Sequence, residues 1–313
     1  MSQPKSFAHV RKAMGFLVKH YGRESVDRFA PMSLVFVQKK LVEYGYARKM
    51  VNRYVGIIKR AFKHGAKFGW VEPNTSYALQ VVDNLQKGRT KAHEYRNIKP
   101  VASDVFDKTL VKLPKRVADM ARIQRYSTMR PQDVCNVRAC DVDRTGDVWI
   151  YRPSAHKTTY LGETLIKYIG KKAQAILMTY LIEKEDTPEA CLFQPKDTVH
   201  DRNVERRKNR KTLNKRGDVQ PSHKNRRKEN PKRAPGEKYT TESYNRAIGT
   251  ACKKAGVPHW TVNQIRHLSA TEIRKEHGLE AAQIMCGHKH ASTTEIYAEV
   301  DHGAGIEIAR KFG

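Results

Sequence analysis

Three side chains in the segment 261–300 are of types that act on phosphate: Arg266, His288 and Tyr297. Arginine and histidine stabilise negative charge on a phosphoryl group, and a tyrosine hydroxyl can attack its phosphorus atom. A free phenol has a pKa of ~10, so nearby cations must favour its phenolate form before it attacks at neutral pH. The segment therefore indicates cleavage of a phosphodiester, with Tyr297 as the nucleophile.

Breaking a phosphodiester without a metal ion requires fixed cations around the charge that develops on its oxygens. A second arginine suits this role, because one guanidinium donates to two phosphate oxygens at once. Arg130 precedes Pro131 at a predicted helix start, where Asp133 could hold it by a charge-assisted bond, although these residues alone favour a surface arginine beside a helix. No cofactor or metal is predicted, because the five cysteines are scattered and form no Cys-x-x-Cys pair.

Three predicted helices position the arginine, the histidine and the tyrosine of the segment 261–300. Apolar spacing predicts one helix over Val262–Gly278, with the arginine in its first turns. A second helix ends at Gly287 and leaves the histidine on the turn just beyond it. Ser292–Glu295 has the pattern of a capping box, which predicts that Tyr297 falls early in a third helix.

Composition divides the chain into a helical N-terminal part and a longer C-terminal part. Residues 1–85 show three apolar patterns at helical spacing, with Ser33 placed to cap the second, and predict a small helical domain. Residues 86–99 are polar and basic without periodicity, which indicates a linker. Residues 100–313 form the second domain, where helices flank short strands predicted over 148–151 and 163–169.

A basic insertion is predicted inside the second domain, over residues 195–238. It holds 16 Lys and Arg against six Asp and Glu, with almost no apolar residues. Such a composition cannot build a core, so we expect a loop that is partly disordered until it follows a phosphate backbone.

The net charge of the whole chain is +28, which indicates a polyanionic partner. Double-stranded DNA is favoured over a membrane, because no apolar run approaches the ~20 residues that a membrane span needs. The first residues contain no apolar stretch typical of a secretory signal, so we expect a cytoplasmic protein.

These motifs resemble those of the tyrosine recombinases, the phage-integrase family. The family has an arginine opening one helix, a Gly-His closing the next and a tyrosine about nine residues on, which is the order within 261–300. It also has an arginine followed three residues later by an acid, as in the stretch Tyr126–Val137. The resemblance implies a mainly α fold with a small antiparallel β-sheet, made of a helical core-binding domain and a C-terminal catalytic domain.

The resemblance implies a mechanism and partners as well. The tyrosine becomes linked to a 3′-phosphate and frees a 5′-hydroxyl, so strands are rejoined without metal or ATP. Lys157, followed by Thr158 in a hairpin, protonates the leaving group, with Lys167 on the next strand as the weaker alternative. The implied catalytic residues are Arg130, Lys157, Arg266, His288 and Tyr297. The expected assembly is a homo-tetramer on paired DNA sites, with accessory DNA-bending proteins, encoded by a mobile element or prophage.

One departure from the family pattern leaves other functions open. Asn263 stands where the family usually has a histidine, and an asparagine cannot exchange a proton near neutral pH. His267 lies one turn further along the same helix face and could compensate. The alternatives are a DNA-binding relative that has lost catalysis and a type IB topoisomerase, which relaxes DNA by the same chemistry.

Overall fold

Amphipathic helices form two compact units in the computed structural model of the protein, residues 1–97 and 98–313. Each unit has a hydrophobic core of its own. The structure describes residues 5–154, 165–209, 234–297 and 310. Among these, no helix combines the length and the apolar character of a membrane-spanning segment.

The first unit is a helical bundle, as its apolar spacing predicts. Its described helices are α1 (Lys5–Tyr21), α2 (Pro31–Glu43), α3 (Arg48–Lys67) and α4 (Pro73–Ala78). The buried side of α3 includes residues at helical spacing: Val51, Tyr54, Val55, Ile58 and Phe62. The predicted cap at Ser33 is wrong, because α2 begins two residues earlier at Pro31, whose fixed φ and missing N–H suit a first helical position.

The second unit is mainly helical and contains one small sheet. Its described helices are α5 (Ser103–Leu110), α6 (Lys115–Ser127), α7 (Pro131–Asn136), α8 (Lys171–Glu183), α9 (Pro195–Lys208), α10 (Thr241–Ala255), α11 (Asn263–Cys286) and α12 (Ala291–Tyr297). The strands β1 (Val142–Asp143), β2 (Trp149–Tyr151) and β3 (Lys167–Ile169) pair antiparallel in that order. The predicted fold class is confirmed, and the start of the second predicted strand, at 163–164, lies outside the described residues.

Helix α6 lies at the centre of the second unit, where it packs against α8, α11 and β3. Met120, Ala121 and Ile123 are fully buried, so the middle of this helix is enclosed by its neighbours. The hydroxyl of Ser269 on α11 donates to the carbonyl of Arg125 at 2.7 Å, which joins the two helices near their polar ends. The end of α6 and the start of α11 are therefore fixed relative to each other.

The loop predicted over 195–238 is wrong for its first part, because residues 195–208 form α9. This helix has no buried residue, and ion pairs hold it in place of an apolar face. Arg116 of α6 is buried and donates to Asp201 at 2.5 Å, while Lys184 contacts Asp197, one helical turn earlier, at 2.9 Å. Residues 210–233 of the predicted insertion lie outside the described residues.

Candidate active site

The start of α11 is held by polar contacts to the two helices beside it. The backbone N–H of Val262 donates to the amide oxygen of Asn245 at 2.9 Å, and its carbonyl accepts from Gln124, also at 2.9 Å. Asn263 then begins the helix, and Arg266 follows in its first turn, as predicted. These contacts fix the direction in which the Arg266 side chain leaves the helix.

Arg266 is 1% exposed and its guanidinium joins three parts of the second unit. One nitrogen, Nη1, donates to the carbonyl of Thr128, in the turn between α6 and α7. The other, Nη2, donates to the carbonyl of Cys286 at 2.6 Å and to Nε2 of His288 at 2.8 Å. The Cys286 carbonyl belongs to the C-terminal end of α11, where the helix dipole favours a cation.

Thr128 has a role that sequence analysis missed. Its φ of 53° and ψ of 20° place it in the left-handed region, which a β-branched residue rarely adopts. Its carbonyl accepts from Arg266, and its hydroxyl donates to the carbonyl of Met285. A threonine two residues before Arg130 carries no sequence signal of this kind, because both partners lie more than 130 positions along the chain.

Arg130 occupies the cap position of α7, immediately before the first helical residue Pro131. The predicted bond between its guanidinium and Asp133 is wrong, because the carboxylate accepts from the backbone N–H of Arg130 at 3.1 Å. An acid at the third helical position reaches back to this N–H in the manner of a capping box. The half-buried guanidinium has no hydrogen bond or ion pair within the described part of the chain, so it is available to an anion.

His288 follows the glycine that ends α11, as predicted. Gly287 has a φ of 62°, and the N–H groups of Gly287 and His288 donate to the carbonyls of Ile284 and Gln283, the bonds of a Schellman motif. Because the guanidinium of Arg266 can only donate, Nε2 of His288 accepts, and Nδ1–H of His288 donates to the Thr294 hydroxyl at 2.9 Å. Burial, with Arg266, Arg130 and Lys167 nearby, lowers the pKa of this imidazole to about 3, which keeps it neutral at pH 7.

Lys167, the weaker of the two lysine candidates, lies inside this cluster. Its side chain is fully buried on β3, and its Nζ donates to the carbonyl of Met285 at 2.6 Å. Burial first, and then the charges of Arg266 and Arg130, lower its pKa to about 7. Two buried basic side chains, Lys167 and Arg266, therefore bind adjacent carbonyls at the end of α11.

Two of the five predicted site residues are described incompletely or not at all. Lys157 lies outside the described residues, as does Thr158. Tyr297 is the last residue of α12, and its side chain is outside the described part. The predicted cap at Ser292 is wrong, because α12 begins one residue earlier and places this serine inside its first turn.

Asn263, the departure from the recombinase pattern, is the first residue of α11 and lies one helical turn before Arg266. Its side chain is half-buried, and its amide has no hydrogen-bond partner among the described residues. An unpartnered amide beside these cations can donate to an oxyanion, although it cannot exchange a proton. His267 is buried on the following turn.

The chain is similar to known proteins in sequence pattern and in fold. The phage integrase family matches residues 90–303, and none of the curated proteins compared with the chain matches it. A lambda integrase dimer bound to a COC′ core site has 13% identity and a TM-score of 0.60, over 95% of this chain and 89% of its own. XerH recombinase bound to palindromic difH has 15% identity and a TM-score of 0.65, over 97% of this chain and 79% of its own.

A third structure, the Tn1549 transposon integrase in complex with circular intermediate DNA, has 14% identity and a TM-score of 0.55, over 96% of this chain and 98% of its own. Likeness at such identities shows a shared fold, and the family match spans more than half of the chain. The protein therefore belongs to the phage integrase family, the tyrosine-type site-specific recombinases.

Proposed function

We propose that the protein cleaves and rejoins double-stranded DNA at specific sites through a covalent 3′-phosphotyrosine intermediate on Tyr297. The observation that carries this proposal is the cluster at the end of α11. There Arg266 and His288 bond at 2.8 Å, beside the guanidinium of Arg130, which no described group neutralises. Fixed donors of this kind stabilise the charge that develops when a phosphodiester is attacked.

In the proposed reaction, Arg130 and Arg266 hold the two non-bridging oxygens of the scissile phosphate. The phenol oxygen of Tyr297 bonds to phosphorus while the bond from phosphorus to the 5′-oxygen breaks. The phenol gives up its proton to solvent water, and Lys157 supplies a proton to the departing 5′-oxygen. A 5′-hydroxyl of the same or a partner strand reverses the steps, so no bond energy is lost and neither metal nor ATP is consumed.

His288 has a more specific role in this proposal than that of an additional donor. Its Nε2 accepts from Arg266, while its Nδ1–H donates to Thr294 on α12, the helix that ends at Tyr297. The imidazole therefore connects the phosphate-binding arginine to the helix that carries the nucleophile. We expect it to fix the distance between these two groups.

The first unit supplies DNA contacts in this proposal, as the core-binding domain does by resemblance. The structural neighbours include a lambda integrase dimer on a core site and a lambda integrase tetramer on a Holliday junction. We propose a homo-tetramer on two paired DNA sites for this chain too. Accessory DNA-bending proteins remain part of the prediction from the sequence.

Helix α9 supports the role of a phosphate-binding arm. Its acidic residues Asp197 and Asp201 are engaged by Lys184 and Arg116, whereas the basic side chains beyond them are exposed. The exposed basic residues are Arg202, Arg206, Arg207 and Lys208. Pairing with Arg116 of α6 and with Lys184, just after α8, neutralises both aspartates. Glu205 is then the one other carboxylate of α9 beside these exposed basic side chains, whose net positive charge can follow a DNA backbone.

A trapped covalent complex tests the proposal. The substrates are duplexes tiled across the DNA that flanks the gene, each with a nick close to the tested position. Cleavage then frees a short fragment with a 5′-hydroxyl end, which dissociates and cannot be rejoined, so the protein stays linked to the DNA. With EDTA present and ATP absent, we expect an adduct that survives detergent and maps to Tyr297 by mass spectrometry. Tyr297→Phe should bind the same duplex and form no adduct. An adduct on another residue would show that the nucleophile is that residue and not Tyr297.

A DNA-binding protein without catalysis is the second candidate, and Asn263 is the observation that favours it. Asn263→His in the same assay separates the two. If the native chain gives no adduct and Asn263→His gives one, the chain is the inactive relative. If both give adducts, the amide is sufficient for phosphate binding.

A further inference from the structure

A lysine with no described carboxylate partner lies buried behind the phosphate-binding arginines. Lys167 has no solvent exposure, and its only hydrogen bond among the described residues is to the carbonyl of Met285, at 2.6 Å. The position that a Cβ of Gly287 would take lies 3.5 Å from Nζ, so the ammonium sits directly under the turn that carries His288. No described carboxylate lies within ion-pair distance of it.

The charges around Lys167 oppose its ammonium form. Arg266 from α11 disfavours the positive charge most among the neighbouring groups, and Arg130 before α7 disfavours it less, whereas Cys286 and, more weakly, Asp133 on α7 favour it. Tyr151 faces it across the strand pair from β2, and this phenol is neutral because burial raises its pKa. Helix α6 also packs against β3, and none of its charged side chains is among the groups that act most strongly on this lysine.

An uncompensated buried cation destabilises a folded protein, and a methionine of similar length would avoid this cost. The compensation that the site provides is incomplete, since it consists of one hydrogen-bonded helix-terminal carbonyl and the more distant Cys286 and Asp133. A phosphate held by Arg130 and Arg266 would add the missing negative charge. The geometry therefore matches a site that is completed electrostatically when DNA binds.

We propose that Lys167 is a positioning residue that holds the Met285 carbonyl, and with it the Gly287–His288 turn, against Arg266, and that it takes up a proton when a DNA phosphate enters. This inference rests on the proposed function for the identity of the ligand. It assigns to Lys167 a task different from that of Lys157, because a fully buried ammonium cannot reach the leaving oxygen. Burial lowers the pKa of Lys167 to about 7, which places the proton uptake near neutral pH.

Proton uptake on binding is the first test, and it does not require cleavage. Binding of a specific duplex to Tyr297→Phe is measured by calorimetry at pH 8 in buffers of different ionisation enthalpy, with and without Lys167→Met. We expect the Tyr297→Phe protein to take up at least half a proton more than the double variant. Lys171→Met, which removes an exposed lysine four residues further along, is the matched control and should keep the uptake.

The rate of cleavage is the second test. Lys167→Met should slow adduct formation at saturating protein by at least ten-fold, with less than a three-fold change in Kd. Lys167→Gln, which keeps an N–H donor without the charge, should recover part of the rate but none of the proton uptake. It also serves where the methionine variant fails to fold.

The results separate this inference from the proposed function. If the native chain binds DNA with proton uptake but forms no adduct, the proposed function fails while Lys167 keeps its assignment. If Lys167→Met cleaves within two-fold of the native rate and takes up as many protons, the assignment of Lys167 is overturned. A substrate with a bridging phosphorothiolate needs no acid, because its leaving group is sulfur. If Lys167→Met is slowed on this substrate as much as on normal DNA, Lys167 is a positioning residue. If the variant regains the full native rate on this substrate, Lys167 is the acid and the positioning role is overturned.

Discussion

Arg266 donates a hydrogen bond to Nε2 of His288 at 2.8 Å, although 22 positions separate them at opposite ends of α11. The helix can bring its ends together because it breaks at Gly278, where φ is 86° and ψ is 176°. These dihedrals are readily adopted only by glycine. Gly278, the predicted end of the first helix, is thus the residue at which the chain reverses direction, so that the end of α11 lies beside its first turn.

The alanine variants of Arg130 and Arg266 should be similarly slow in cleavage but should differ in stability. Removing one fixed donor to a developing charge costs about 2.7–4 kcal/mol, or roughly 100- to 1,000-fold in rate, so either alanine variant should slow adduct formation that much. Arg266→Ala should also lower the unfolding midpoint in urea, because it leaves buried carbonyls unpaired, whereas Arg130→Ala should not. The exposed Arg144→Ala is the control, and equal loss of binding and cleavage would mean that both arginines only grip DNA.

Thr128 should tolerate glycine better than valine. Thr128→Gly loses the hydroxyl bond to Met285 but relieves the left-handed strain, two effects of about 1 kcal/mol each and of opposite sign. Thr128→Val keeps the strain and loses the bond, so it should be less stable by about 1–3 kcal/mol and slower to cleave. Urea unfolding of both variants measures the difference; equal stabilities would show that the backbone there is not strained.

Lys157 should be dispensable when the leaving group needs no proton. Lys157→Ala should slow cleavage of normal DNA by about 100-fold or more, within the usual contribution of a general acid. A substrate with sulfur in place of the bridging 5′-oxygen releases a thiolate, which is a far weaker base than an alkoxide. The variant should cleave this substrate within a few-fold of the native rate, whereas Arg130→Ala should stay slow; persistence of the Lys157→Ala defect would make another group the acid.

Helix α9 should bind DNA through its position as well as its charge. Arg202→Gln with Arg206→Gln should flatten the dependence of log Kd on log salt by up to ~2, at about 0.9 per phosphate contact. Asp201→Asn makes the chain more positive, yet it removes the α9 carboxylate to which Arg116 donates and leaves only Glu183 of α8 as its hydrogen-bonded carboxylate, so we expect it to weaken binding too. Lys108→Gln, on the exposed face of α5, is the control; tighter binding by Asp201→Asn would show that charge alone decides.

Lys167 should make stability depend on pH with a defined sign. Its pKa is about 7 in the folded chain and 10.5 ordinarily, so between these values the unfolded state binds more protons. The free energy of unfolding should therefore rise with pH in that window, by at most about 1.4 kcal/mol per unit, relative to Lys167→Met. Urea titrations of both proteins at pH 6.5 to 9.5 measure this. If the difference between their free energies of unfolding does not change with pH, the pKa of Lys167 is not lowered in the folded chain.

The sequence by itself determined the elements that signal locally. Thr240 caps the start of α10 and a left-handed Gly256 ends it, and both are local signals, because they act through bonds to residues a few positions away. The same reasoning placed Arg266 in a first turn and His288 after Gly287. It also predicted the mainly helical fold with a small antiparallel sheet.

Only the tertiary structure decided what these side chains touch. Lys167 meets Met285 across 118 positions, and Thr128 meets Arg266 across 138, so no local spacing could reveal either bond. Helix α9 escaped prediction for a related reason: its sequence lacks an apolar face, and the charge that compensates for this is Arg116, on a helix 85 positions before Asp201. Periodicity reports burial against an apolar core, whereas buried ion pairs and caps on distant carbonyls depend on partners that only the folded chain brings within reach.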